Sequence, residues 1–453
     1  MPIKSYMSRT IVDVTQLAHW EGKITGIPRV MNELAVRFRR SDPTAVFAVW
    51  VKEIQEFCEI DFEETIVKRG HGIVYRYAGE TSSSTPQSTP VNEVSDMPSP
   101  RATASIQKQA RRVVKAGLAR SRRFAPGLAD SLETRAKAAH MNRFKRIEFQ
   151  EDDTLFIPWG EWWDGNFIAK LEEWHRDHGI KIVQIVHDMG PAIMPHISNS
   201  GNASQTFPIY CRRILPICSL ILTVSENSKQ EATTWLKQHK LPVPPMYSFR
   251  LGDDIHIAKP EPSRDPAYKQ SGLRGNDFIL MVGTFELKKN HLLLYYVYHL
   301  ALERGIDLPK IVMVGRRGWL TEVTYELMSK DPLVKDKFIF LFNTSDEELS
   351  WIYDRALFTV LPSFYEGWGI PIAESLARGV PSLAGNTSSM PEVAPGFVKH
   401  FSSYSTDECL DAITYWLDNP KELARVRKHT KTYKQFNWDE SFAQVTKRMK
   451  EIL

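Results

Sequence analysis

Two glutamates with seven residues between them, Glu366 and Glu374, lie in a stretch from Leu361 to Glu392 that reads LPSFYEGWGIPIAESLARGVPSLAGNTSSMPE. Glu366 opens a small-residue loop with Gly367, Trp368 and Gly369, and Glu374 falls about one turn inside the helix that this loop enters. Pro371 stands where a first helical residue belongs, since its fixed φ suits that position and its missing N–H costs nothing there. Gly379 suits a left-handed cap, with Pro381 just beyond. A loop of small residues leading into a helix points free N–H groups and a positive dipole end outward, which is a ready anion site. The Glu374 carboxylate can accept hydrogen bonds from a vicinal diol. A capping glutamate beside an ordinary turn would also satisfy this spacing, so the rest of the chain has to decide. The dinucleotide fingerprint is disfavoured: after Gly367-Trp-Gly369 the third glycine is replaced by Ile372, and the loop comes late in the chain.

The elements around this stretch follow a regular rhythm. Short β-branched runs at 10–14, 45–49, 154–157, 181–186 and 220–224 read as strands, with helical patterns around 27–40, 165–178 and 227–238. A second series has strands at 277–282, 310–314, 338–342 and 357–361, with helices near 290–304, 320–330 and 345–355. Alternation of this kind predicts an α/β fold with two open parallel-sheet domains facing each other across a cleft. The expected boundaries are an N-terminal domain over 1–257, a Pro-, Ser- and charge-rich linker over 258–276, a C-terminal domain over 277–434 and a terminal helix over 435–453 returning to the first domain.

Length and composition fit that organisation. At ~150 residues per domain, 453 residues imply two or three domains, and 42% hydrophobic with 25% charged residues excludes wholesale disorder. No apolar run reaches membrane-span length, and the opening MPIKSYMSRT lacks the apolar core of a signal peptide, so a cytoplasmic location is expected. Four cysteines without a Cys-x-x-Cys pair fit reduced core thiols. The first domain carries an insert over 80–145, low in complexity at first and then basic: residues 101–146 hold thirteen Lys and Arg against two acids, while the whole chain nets only +4. Within it, 104–123 has one apolar helical face surrounded by cations. That pattern suits a peripheral helix on an anionic membrane surface, or equally a solvated helix packed on the domain. Nucleic acid is disfavoured as a partner, because no aromatic platform interleaves the charges.

Glu366 and Glu374 with their surroundings, FYEGWGIPIAESLARGVPSLAGN, resemble the Glu-x7-Glu region of the retaining glycosyltransferase family 4, of GT-B fold. Separated matches in the right order extend the likeness over most of the chain outside the insert. Gly283-Thr-Phe-Glu-Leu-Lys-Lys-Asn-His291 is similar to the loop holding the donor diphosphate. Val314-Gly-Arg-Arg-Gly-Trp319 is similar to the nucleoside loop, and Thr344 to Leu349 to the start of the next helix. Asn386 to Val393 resembles the stretch that follows the Glu-x7-Glu helix. In the first half, Gly22 to Arg29 resembles the glycine loop near the N-terminus, His187-Asp188 the strand-end His-Asp, and Val224 to Ser228 a further signature. One departure stands out: Thr284 follows the glycine of the diphosphate loop where many members have Arg, so Lys288, Arg316 or Arg317 would have to supply the second cation.

The resemblance implies a nucleotide-sugar donor and no further cofactor. Lys289 and the helix start would meet the diphosphate, with Gly283, Thr284, Lys288 and Arg316 around it. Glu374 would hold the ribose, Glu366 the donor sugar, and the N–H groups of Gly367, Trp368, Gly369 and Ile370 the sugar and phosphate, while His187 would touch the sugar from across the cleft. Catalytic roles fall to His187, Lys289 and Glu366. The absence of an Asp-x-Asp triplet suggests that no metal is needed. On the acceptor side, Gly22 and Gly26 permit close backbone approach, Arg29 can meet a phosphate or hydroxyl, and Trp159 and Trp162 can stack on a sugar ring or pack the core. A glycan or lipid-linked acceptor is expected, in surface polysaccharide synthesis (O-antigen or exopolysaccharide), with mannose or a rhamnose-like sugar delivered from a GDP-sugar. Other enzymes of this architecture, epimerases and glycan phosphorylases, and a non-catalytic nucleotide-sugar binder are the alternatives.

Overall fold

The computed structural model describes residues 9–20, 26–68, 145–198, 202–253, 273, 277–342 and 344–453. The insert, the glycine loop at 21–25 and nearly all of the linker lie outside these residues, and with them Gly22 and the basic segment 104–123.

The first sheet contains seven strands: β1 Thr10–Asp13, β2 Val46–Val51, β3 Glu56–Glu59, β4 Thr154–Ile157, β5 Lys181–Val186, β6 Leu220–Thr223 and β7 Met246–Ser248. Their order is β3-β2-β1-β4-β5-β6-β7, parallel except for the antiparallel edge pair β2 and β3. The second sheet is wholly parallel and contains β8 Phe278–Val282, β9 Lys310–Val314, β10 Phe338–Leu341, β11 Thr359–Leu361, β12 Ser382–Gly385 and β13 Val398–Phe401, in the order β10-β9-β8-β11-β12-β13. The central strands are apolar on both faces because helices cover both sides. Five of six residues in β5 (KIVQIV) are buried, including Gln184. The strands stay parallel, but the order in which they are added reverses between β1 and β4 in the first sheet and between β8 and β11 in the second. At such switch points adjacent loops leave in opposite directions and open a crevice at the carboxyl ends of the strands.

The two carboxyl edges face each other. Trp368, Ile372, Met390 and Val393 of the second domain join one apolar cluster with Val12, Val14, Val30 and Leu34 of the first. The last helix, Trp438–Ile452, starts on a capping box of Asn437 and Glu440 and packs on the first domain: Phe442 meets Phe38 edge-on at 4.9 Å, and Arg37 pairs with Asp439 at 2.6 Å. Among the described residues no helix is long and apolar enough to cross a membrane.

Candidate functional site

β8 delivers the chain into the turn Leu287–Lys289, which closes on Asn290 in the left-handed region at φ 58°. Asparagine tolerates that region, and here its side-chain amide donates to the carbonyls of Pro362 (3.1 Å) and Ser403 (2.9 Å), pinning the turn to the end of β11. The Lys289 ammonium thereby lands 2.6 Å from Glu366 Oε1, which also accepts from the Ser363 hydroxyl at 2.6 Å. Both charged residues are buried. Burial alone would push the Glu366 carboxyl up, but Lys289, Lys288 and the Ser363 hydrogen bond outweigh it and hold it below the ordinary carboxylate range. Lys288 sits 3.9 Å from Asp188 of the first domain and 3.8 Å from Glu286. Burial opposes its charge, yet Glu286, Asp188 and Glu366 together raise its pKa, so it remains a cation.

The neighbouring loops are packed backbone to backbone. Gly283 N–H donates to Val314 and Phe285 N–H to Arg316, and Gly318 N–H returns to Phe285. A Cβ on Gly315 would sit 1.8 Å from the Gly283 carbonyl oxygen, so only glycine fits there. Thr284 lies in this seam, against Gly318. Of the candidate extra cations, Lys288 is the one beside Glu366. The Arg316 guanidinium lies 5.9 Å from the Trp20 ring, and Arg317 stacks on Tyr325 at 4.0 Å.

Beyond β11, the loop 366–369 is staked by two serines. The Ser388 hydroxyl accepts from Glu366 N–H, and Ser388 and Ser389 donate to the Glu366 carbonyl, with Ser389 also reaching Trp368. Gly369 turns the chain at φ 110° into the helix Ile370–Ala377. The helix begins one residue earlier than expected, placing Pro371 second, where a backbone N–H would still lack an intrahelical partner and none is missed. At the other end Gly379 N–H bonds to Leu376 and Val380 N–H to Ser375, a Schellman ending with Gly379 at φ 68°. Glu374, buried, accepts from Tyr353 Oη at 3.0 Å on one oxygen and from Arg29 Nη1 at 2.7 Å on the other. Arg29 thus meets the second domain's carboxylate.

From the first domain, His187 follows β5 and is buried. Its Nε2 lies 2.7 Å from the Pro158 carbonyl and must carry the proton there; desolvation, the largest influence, lowers its pKa to about 4. The ring is therefore neutral at physiological pH, with Nδ1 as its acceptor. The His187 carbonyl oxygen faces Gly367, where an added Cβ would stand only 2.3 Å away. Trp159 lies 5.6 Å from the His187 ring and 6.2 Å from Trp162, and these residues with Gln184, Asp188, Phe207 and Tyr210 line an open cavity. Gly26, at φ 60°, starts the helix Ile27–Ser41 that carries Arg29. The structure therefore brings together Lys288, Lys289, Glu366, Gly367 and His187, with Glu374 and Arg29 a turn away. Asn290, Tyr353, Ser363, Ser388 and Ser389 are supporting residues that sequence reasoning missed; their types are common in turns and carry no spacing signal.

Two facing Rossmann-like domains, with a buried Lys289–Glu366 ion pair at the carboxyl edge of the second, define a GT-B fold. Structures with this fold include Anabaena Alr3699/HepE in complex with UDP-glucose, at 14% identity and TM-score 0.60 over 98% of this chain and 100% of that one. A glycosyltransferase from Rickettsia africae has 15% identity and TM-score 0.56 over 99% of each chain. More particularly, residues 264–433 match the family Glycosyl transferases group 1. Similar relatives include the Escherichia coli serotype-specific mannosyltransferase WbdA, 25% identical over 262 residues (56% of this chain, 31% of that protein). The Escherichia coli O-antigen chain mannosyltransferase B is 29% identical over 236 residues (50% of this chain, 58% of that protein). The chain thus matches about a third to somewhat over half the length of these relatives.

Proposed function

We propose that the protein is a retaining hexosyltransferase that moves mannose or a rhamnose-like sugar from a nucleotide sugar, a GDP-sugar by preference, to a glycan or lipid-linked acceptor in surface polysaccharide synthesis. The buried Lys289–Glu366 pair at the carboxyl ends of the second sheet, facing His187 across the cleft, carries this reading. Relatives named as O-antigen mannosyltransferases support the choice of sugar and pathway.

The C1–O bond to the diphosphate breaks, a new C1–O bond forms to the acceptor hydroxyl on the same face, and the acceptor proton passes to the departing phosphate oxygen. Negative charge then grows on the diphosphate. Lys289, Lys288 and the N–H groups entering the Ile370–Ala377 helix meet that charge with fixed donors, each worth ~3–4 kcal/mol by analogy with oxyanion-hole deletions. Glu366 takes hydrogen bonds from the donor sugar and Glu374 from the ribose. His187, neutral, orients a sugar hydroxyl through Nδ1. Trp159 and Trp162 offer the acceptor its sugar-stacking wall, and the segment 104–123 its contact with the inner face of the membrane.

Thermal shift with GDP, UDP and dTDP tests the donor, since a ligand binding only the native state raises apparent stability. GDP is expected to raise the melting temperature most, and labelled GDP-mannose is expected to release GDP on transfer with full rate in excess chelator. No stabilisation by any of the three nucleotides rejects the donor site, and activity restored only by added magnesium or manganese rejects the metal-free mechanism.

A further inference from the structure

Arg29 occupies an unusual place for a cation. It is the third residue of the helix Ile27–Ser41, whose first turn contains no acid, so its charge opposes the positive end of the helix dipole. Helix stability therefore does not account for it. Its guanidinium instead reaches across the domain boundary to Glu374 Oε1 at 2.7 Å, with both side chains largely withdrawn from solvent. The other oxygen accepts from Tyr353, within the second domain. Each carboxylate oxygen can accept two hydrogen bonds, so one acceptor position per oxygen remains after Arg29 and Tyr353 are counted. A vicinal diol needs two such positions side by side.

We propose that Arg29 is a positioning residue for the nucleotide ribose: it fixes the rotamer of Glu374 from the opposite domain, so that the diol-reading clamp is complete only when the two domains are closed. The inference rests on the donor-site reading above and reassigns Arg29 from the acceptor to the donor. Without Arg29, a buried carboxylate keeps one neutral partner, Tyr353, and loses the charge-assisted bond that sets its orientation.

Affinity for GDP and UDP is measured by calorimetry beside their 2′,3′-dideoxy counterparts, using the full chain and the variants Glu374→Gln, Arg29→Met and Arg29→Lys. Unmodified protein should prefer the ribonucleotide by about tenfold, the size of one charged hydrogen-bond set, and Glu374→Gln should abolish that preference. Arg29→Met should reduce the preference to within about threefold while leaving dideoxy affinity within about twofold, and Arg29→Lys should recover part of it. Preference retained in both Arg29 variants overturns the proposal. So does equal weakening of both nucleotides, which would place Arg29 on the phosphates or in a purely structural role. Tighter ribonucleotide binding by Arg29→Met would make it a competitor and overturn it as well. Failure of the donor-site reading looks different: neither nucleotide binds, or the unmodified protein itself does not distinguish ribose from dideoxyribose.

Discussion

Replacing Gly367 by alanine adds one methyl group where there is no room for it. The new Cβ would lie 2.3 Å from the His187 carbonyl oxygen, 3.2 Å from the carbonyl carbon and 3.3 Å from Asp188 Cβ. Ordinary contact starts near 3.4 Å, so about 1 Å of separation is required. Neither side yields locally: the His187 carbonyl follows directly on β5, and the Gly367 loop is staked by Ser388 and Ser389. Gly367 itself does not use a positive φ, so alanine suits its backbone. The domains must therefore move apart as bodies, which carries His187 and Asp188 away from Lys288, Lys289 and Glu366. A displacement of about 1 Å in a reacting geometry costs on the order of a hundredfold in rate.

Stability should respond far less: the apolar cluster shared across the boundary loosens, but the other three clusters among the described residues each lie within a single domain. Gly315→Ala provides the contrast, because its Cβ would stand 1.8 Å from the Gly283 carbonyl within one domain, with no rigid-body escape. Release of nucleoside diphosphate from a labelled nucleotide sugar and calorimetric melting, run on both variants, separate the two cases. Gly367→Ala should lose about a hundredfold in turnover and only a few degrees in melting temperature. Gly315→Ala should melt far lower and lose nucleotide binding. Full turnover in Gly367→Ala, or unfolding as severe as in Gly315→Ala, would refute the argument.

Lys289→Met leaves Glu366 buried with only Lys288 and Ser363 to support it, so turnover should collapse and stability fall by roughly 3 kcal/mol, the low end for a broken buried pair. Adding Glu366→Gln should restore most of that stability but not the turnover, as denaturant midpoints and donor consumption would reveal; no recovery argues against the pairing. Two contributors to the pH dependence of melting oppose each other. His187 titrates near 4 when folded against 6.5 otherwise, so the stability tied to its neutral form is lost as pH falls from 6.5 toward 4. Asp13, held up to about 7 chiefly by burial against a usual 3.8, retains its proton in the fold, so its contribution is lost as pH rises through 3.8 to 7. Asp13→Asn should therefore steepen the rise in melting temperature between pH 4 and 6.5; a curve parallel to the unmodified protein's contradicts this.

Elements with their own periodicity were legible before any coordinates. β5, β8 and β9 are β-branched or aromatic runs buried on both faces, and the ends of the 370–377 helix follow from Gly369, Pro371 and Gly379. Weak local signals hid others. β12 is the small-residue run SLAG, β3 is a four-residue edge strand, and the helix Ala203–Arg213 contains Pro208. At the site, residue type and spacing pointed to Glu366 and Glu374, and the family resemblance to Lys289 and His187, but pairing did not follow from either. Lys289 and Glu366 are 77 positions apart, and Arg29 and Glu374 are 345 apart. Such contacts are created by sheet order and domain facing, which no local pattern encodes.

The pairing also bears on how the proposed site would take up a polyanion. An unpaired buried lysine or glutamate would be costly, and here each serves as the other's partner. On the proposed reading, an arriving donor exchanges partners rather than breaking them: the diphosphate takes the Lys289 ammonium, and sugar hydroxyls donate to the Glu366 oxygen that the lysine releases. Ser363 stays on that oxygen throughout, and Lys288 stays nearby with Asp188 and Glu286. No charge is stranded at any stage, provided that the sugar brings hydroxyl donors and the nucleotide brings phosphate together. A free nucleoside diphosphate would claim Lys289 and leave Glu366 only a neutral hydroxyl and a more distant lysine, so a sugar nucleotide should bind more tightly than its diphosphate, and Glu366→Gln should remove much of that difference.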